Sequence, residues 1–283
     1  MPFISKKKPE LEKKLKCKAE KYKGRVELND AIQCHYELLL KLYLTNPLYF
    51  KTLFKANRFI VGSAILGIYY IRKSSTFKDV KRFCISNDLF SSNSLDSFLL
   101  FLRVGGRLEV YRDSEDKRKL NYKPTPKALA ETQRMINTMI IPCTMLTDSL
   151  DIEFYQQHKN FVPEFFRTYA EITLNRMFIH DIVPGSAEFL SRDGGHMIMF
   201  NLYLETIKQQ SLTIKFNILK SAFCCGVSRS HIRRCLQAAE DIGMLKIEDG
   251  ANGLTLSTAF IEMVQDYFSI YLATVEHGLA GMR

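Results

Sequence analysis

The segment from Ala222 to Leu236, AFCCGVSRSHIRRCL, constrains the backbone more tightly than any other stretch of this chain. Ala222 is small, Gly226 follows four residues later, and Ser228 and Ile232 come next in register. Two helices that meet at a sharp turn need a small side chain where they touch. The turn itself needs positive φ, which glycine adopts without a steric penalty. Ser228 is placed to accept a hydrogen bond from the free amides that open a second helix. Ile232, Cys235, Leu236 and Ala239 recur at helical spacing and form one inward face. The pattern predicts a helix over 216–224, a tight turn at Cys225-Gly226-Val227, and a second helix over 229–241 stopped at Gly243.

The outward face of that second helix is the complement: Arg229, Ser230, Arg233, Arg234 and Gln237, with His231 near its start. Arginine can bond guanine O6 and N7 together, glutamine can do the same to adenine N6 and N7, and a helix N-terminus favours phosphate. Around this pair the chain predicts a helix over 197–207, a short SLTI (211–214), a strand MLKIE (244–248), a glycine-rich tip DGANG (249–253) and a return strand LTL (254–256). Ser257 then caps a last helix over 258–277.

Taken together, residues 197–257 resemble the winged helix-turn-helix domains of bacterial transcription regulators, broadly the MarR-like class. The resemblance implies a recognition helix in the major groove and a wing over the adjacent minor groove. By that carry-over Ser228, Arg229, Ser230, His231, Arg233, Arg234 and Gln237 contact DNA, and Asn252 lies at the wing tip. The tip departs from the pattern in having no Arg or Lys.

The same order of elements occurs earlier. FKDVKRFC (77–84) and SLDSFLLFLRV (94–104) read as helices, followed by Gly105-Gly106, a strand LEVYR (108–112), a charged tip (113–119) and a return strand LNYK (120–123). Pro124-Thr125-Pro126 then opens another helix. Aligning Gly106 with Gly243 sets Phe90 on Val227, Leu99 on Leu236 and Leu102 on Ala239, all apolar, as an internal duplication requires. Lys117, Arg118 and Lys119 make this wing basic and add it to the expected DNA contacts. The outward residues of its second helix, Ser94, Asp96 and Ser97, are not basic.

The expected fold is therefore mostly α with small β-ribbons, a tandem winged helix-turn-helix. A basic arm spans 1–28, an N-terminal module 29–135, a helical connector 136–196, and a C-terminal module with a long terminal helix 197–283. The arm holds ten Lys or Arg against four Glu, and the chain carries a net charge of +10. Such a surplus favours an anionic partner. On the last helix, Phe260, Met263, Val264, Tyr267, Phe268, Tyr271 and Val275 form an apolar stripe. That stripe either packs on its own module or pairs two copies into a homodimer suited to a two-fold DNA site.

Other chemistries find little support. The longest apolar run, Phe59 to Ile71, is 13 residues, short of the ~20 that span a bilayer. No secretory signal is visible, and the seven cysteines include no C-x-x-C pair, so a reducing cytoplasm is the expected location. Cys224, Cys225 and Cys235 read as packing rather than a metal or thiol sensor. No phosphate-binding loop, dinucleotide fingerprint or metalloprotease motif occurs. Gly194-Gly195-His196 lacks the surroundings of an oxyanion loop. The expectation is no enzyme, no cofactor and no metal, with double-stranded DNA as partner. A transcription regulator is the leading reading, with a plasmid-type replication initiator or a winged-helix protein-interaction scaffold as alternatives.

Overall fold

The lysine-rich start of the chain folds as a helix because its few apolar residues share one face. In the computed structural model, which describes residues 8–71, 76–248 and 253–282, α1 (Lys8–Lys23) buries Leu11, Leu15, Ala19 and Tyr22. These positions recur every three or four residues, so one stripe faces inward and the lysines face water. The stripe lies along the last helix of the chain. From Lys8 onward the expected arm is thus part of the packed body.

The chain then forms three helices, α2 (Leu28–Thr45), α3 (Pro47–Leu53) and α4 (Ala56–Ile71). Proline has no amide to continue α2, and Asn46 accepts from the Tyr49 amide at 3.3 Å to start α3. The apolar run of α4 packs against a later helix, Phe161–Leu174. Among the described residues no helix is long and apolar enough to cross a membrane.

Next come α5 (Phe77–Ser86), α6 (Ser92–Val104), the antiparallel ribbon β1 (Leu108–Arg112) and β2 (Leu120–Pro124), and α7 (Pro126–Thr144). Thr76, just before α5, bridges Asn121 of β2. The stretch expected to be a connector supplies α8 (Ile152–Gln157), α9 (Phe161–Leu174), α10 (Ile179–Ile182) and α11 (Ser186–Leu190). Here α9 is central rather than connecting: it buries Phe161, Phe165, Phe166 and Tyr169 between α4 and the last helix.

The chain closes with α12 (Gly195–Gln209), β3 (Thr213–Lys215), α13 (Ile218–Cys225), α14 (Arg229–Asp241), β4 (Leu245–Ile247), β5 (Gly253–Leu256) and α15 (Thr258–Ala280). The three strands are antiparallel in the order β3-β5-β4. On α15, Phe260, Met263, Val264 and everything from Tyr267 to Val275 is buried within one chain. The stripe considered for a homodimer is therefore already covered, by α1, α7, α9 and α12. The fold is mostly helical with two small antiparallel sheets, and its apolar interior is continuous through both halves.

Local geometry repeats between the halves. Gly106 (φ +70°) and Gly243 (φ +73°) both end their helices in the left-handed region. The following amides bond back alike, Arg107 N to Leu102 O at 2.8 Å and Met244 N to Ala239 O at 2.9 Å. Ser91 caps α6 as Ser228 caps α14, and Thr125 caps α7 as Ser257 caps α15. One difference is Arg107, whose buried guanidinium forks onto Glu131 of α7 at 2.6 and 2.8 Å and lies 3.5 Å over the Tyr49 ring. It pins the first ribbon to α3 and α7.

Candidate nucleic-acid interface

Local chemistry builds the α13–α14 pair as the sequence requires. Asn217 accepts from the Lys220 amide at 2.9 Å to start α13. Gly226 (φ +62°) ends it, and the Val227 amide returns to Ala222 O at 3.0 Å. Ala222 is buried where the helices meet. Ser228, with extended backbone (ψ 156°), accepts from the His231 amide at 3.1 Å. Ile232, Cys235, Leu236 and Ala239 then bury themselves along one side of α14.

The opposite side is open. Ser228, Arg229, Ser230, Arg233, Arg234 and Gln237 are all exposed. The charges on α14 run against its own stability. A helix N-terminus is partially positive and its C-terminus partially negative, so acids help at the start and bases at the end. Here the first turn has no acid and the last turn no base. Instead Arg229, Arg233 and Arg234 stand in the first two turns, and Glu240 and Asp241 in the last. Arg229 and Arg233 also repel one another at i, i+4. Among the described residues no carboxylate forms an ion pair with these three arginines, whereas Arg107 and Arg192 each have one. The result is a concentrated positive potential at the start of an exposed helix.

Other predicted contacts fare differently. Gln237 donates to Glu240 at 3.0 Å and to Asp241 at 3.1 Å, so its amide is held within the helix. The Nε2 of half-buried His231 is enclosed without a partner, which takes it out of reach of a phosphate. Asn252 lies outside the described residues. Lys220, exposed on α13, is a further cation on this unit that the helix-pattern reading passed over because it stands outside α14.

The first ribbon is less basic than its Lys117-Arg118-Lys119 run. All three are exposed, but the same tip holds Asp113, Glu115 and Asp116. Asp113 accepts from the Glu115 and Asp116 amides and from Asn121. Those hydrogen bonds hold its carboxyl below the usual range, so it stays charged. Lys119 reaches Asp116 at 3.7 Å, and Arg112 turns onto the Lys117 carbonyl at 2.6 Å. Alternating signs replace the basic wing that was expected.

Of the three cysteines of this region, two are packing residues and Cys224 is half-buried. Cys225 and Cys235 are buried, and burial pushes the Cys235 thiol up to about 11. Among the described residues no group of three His, Cys, Asp or Glu side chains is placed to hold a metal ion. No protein-family model, curated protein or solved structure matches this chain significantly.

Proposed function

We propose that this protein binds double-stranded DNA in a sequence-specific way and regulates transcription from the cytoplasm, with α14 as a recognition helix in the major groove. In this reading each half is a winged helix: α4, α5, α6 with the β1–β2 ribbon, and α12, α13, α14 with the β4–β5 ribbon. The carrying observation is the reversed charge of α14, an arrangement unfavourable to the helix and favourable to a polyanion at its N-terminus. The N-terminal half contributes backbone contacts or interdomain packing more than base reading, because Ser94, Asp96 and Ser97 occupy the equivalent outward face. A homodimer on a two-fold site would use a surface other than α15.

The test is selection from a random duplex pool at two salt concentrations. One enriched motif is the expected result, and Arg233→Ala or Arg234→Ala then costs about 1–3 kcal/mol on that motif. Equal losses on every sequence assign that arginine to phosphate. Repeated sites beside an origin would point to a replication initiator instead. Binding that enriches nothing and collapses with salt would sink the specific reading.

A second reading, a protein-interaction scaffold, is favoured by one feature. Leu219 and Phe223, one turn apart on α13, are 66% and 76% exposed. For a scaffold, DNA affinity would be weak and indifferent to the α14 arginines.

A further inference from the structure

In the second half of the chain, β4 stands at the border of its sheet, in the order β3-β5-β4. Along an antiparallel strand, alternate residues bond to the neighbour and those between turn their amide and carbonyl outward. Glu248 N bonds to Gly253 O and Ser257 N to Met244 O, so Ile247 is one of the outward residues. An open edge of this kind is a template for pairing with another chain. Here it is closed from within: the Ile247 amide donates to the Glu240 carboxylate at 2.7 Å.

The first half repeats the geometry without the closure. With Gly106 set on Gly243, Val110 takes the place of Ile247 and Arg103 the place of Glu240. Strand β1 has β2 on one side and no strand on the other. Thr125 N bonds to Arg107 O and Asp113 N to Lys119 O, so Leu108, Val110 and Arg112 turn outward. Among the described residues the Val110 amide has no acceptor. Arg103 cannot serve it, because a guanidinium only donates. Nor does any carboxylate among the described residues pair with Arg103. Arg103 and Val110 line one open groove of about 650 Å³, with Leu108 and Tyr111. Beside Arg103 on α6, Leu100 and Val104 are 57% and 79% exposed. At the same places α14 carries Gln237 and Asp241.

We propose that the outer edge of β1 takes up an extended, acidic and apolar segment of a partner protein as a third strand. The segment would bond main chain to main chain at Val110, set a carboxylate on Arg103 and cover Leu100 and Val104. Strand addition of this kind draws affinity from the backbone and specificity from the side chains beside it. Charge decides the occupant. A second copy of β1 would offer only Glu109, which Lys123 already holds at 2.8 Å, and would bring another Arg103. Asp96, exposed on the same helix, opposes a phosphate chain at this edge. The inference concerns the first half of the protein and does not depend on whether α14 reads DNA.

The probe is a short, end-blocked peptide alternating valine and glutamate, titrated into the full chain and followed by backbone amide resonances. The Val110 amide should shift, and its hydrogen exchange should slow as the peptide saturates. Two control peptides separate the contributions: one with lysine for glutamate, and one with N-methylated main chain. Each should bind roughly tenfold more weakly or worse, having lost a charge-assisted bond or the ladder. Arg103→Glu supplies the acceptor that Glu240 supplies in α14. It should close the edge, hold or raise the melting temperature and abolish peptide binding. No shift of Val110 at millimolar peptide, equal binding of either control, or full affinity in Arg103→Glu overturns the proposal. So would a concentration-dependent dimer that Arg103→Glu dissolves, which would give the edge to a second copy, or displacement of the peptide by a random-sequence duplex.

Discussion

Glu240, near the end of α14, accepts a hydrogen bond from the Ile247 backbone amide of β4 at 2.7 Å. This bond ties the end of α14 to β4. The same carboxylate also takes the amide of Gln237. Glu240→Ala should lower stability by about 1 kcal/mol in urea unfolding, the usual loss of one partly exposed hydrogen bond. It also removes a negative charge from α14, so DNA affinity at low salt should rise while stability falls. If both drop together, Glu240 supports the DNA-bound geometry instead.

Two glycines of this unit should respond differently to the same change. An alanine Cβ at Gly226 would meet only Pro47 at 3.8 Å, so the cost is the left-handed backbone alone, about 1–2 kcal/mol. At Gly195 the Cβ would strike the Phe189 carbonyl. Gly195→Ala should therefore cost about 4 kcal/mol or more, or prevent folding. Similar melting temperatures for the two variants would contradict this ordering.

The Arg107–Glu131 pair is almost fully enclosed. Removing one partner strands a buried charge, so Glu131→Gln should lose about 3–5 kcal/mol. Replacing both residues, Arg107→Met with Glu131→Leu, should cost much less than that single change. Chemical denaturation of the three proteins tests it, and a cheap Glu131→Gln would mean that water reaches the site.

Acid should destabilise the fold through its interior histidines. Burial pushes His35 down to about 4, against the weaker opposing pull of the Thr138 carbonyl, and holds His196 well below 6.5. The unfolded chain therefore binds more protons than the folded one below pH ~6.5, and stability falls as pH drops through that window. For His35 the loss is complete near pH 4 and is on the order of 3 kcal/mol. The urea midpoint of His35→Phe should vary less between pH 7 and 4 than that of the unaltered protein. Parallel curves would show that carboxylates alone govern the acid limb.

How much of this was legible depended on how local each cause was. The α13–α14 turn could be read because Gly226 and Ser228 act on their immediate neighbours. The equivalent turn before α6 was blurred: Asp88, not glycine, carries positive φ (51°), and the cap at Ser91 starts the helix before Ser94. The four apolar residues of α1 were outnumbered by lysines, and only their partner helix gives them meaning. The centrality of α9 had no local signal either, since Phe165 and Tyr169 suit any buried helix. Within the interface, the arginines were visible at once, but the enclosure of His231 depends on packing that spacing does not encode.

The pairing of α1 with α15 also has a consequence in time. The stripe on residues 8–23 is covered by residues 258–280, so the first helix waits for the last to be made. At roughly 5–20 residues per second, that wait during synthesis is on the order of 10–50 seconds. Through it, Leu11, Leu15 and Tyr22 stand open to every neighbouring chain. The lysines around them repel such neighbours, so their charge guards an unfinished protein before it serves any partner of the finished one.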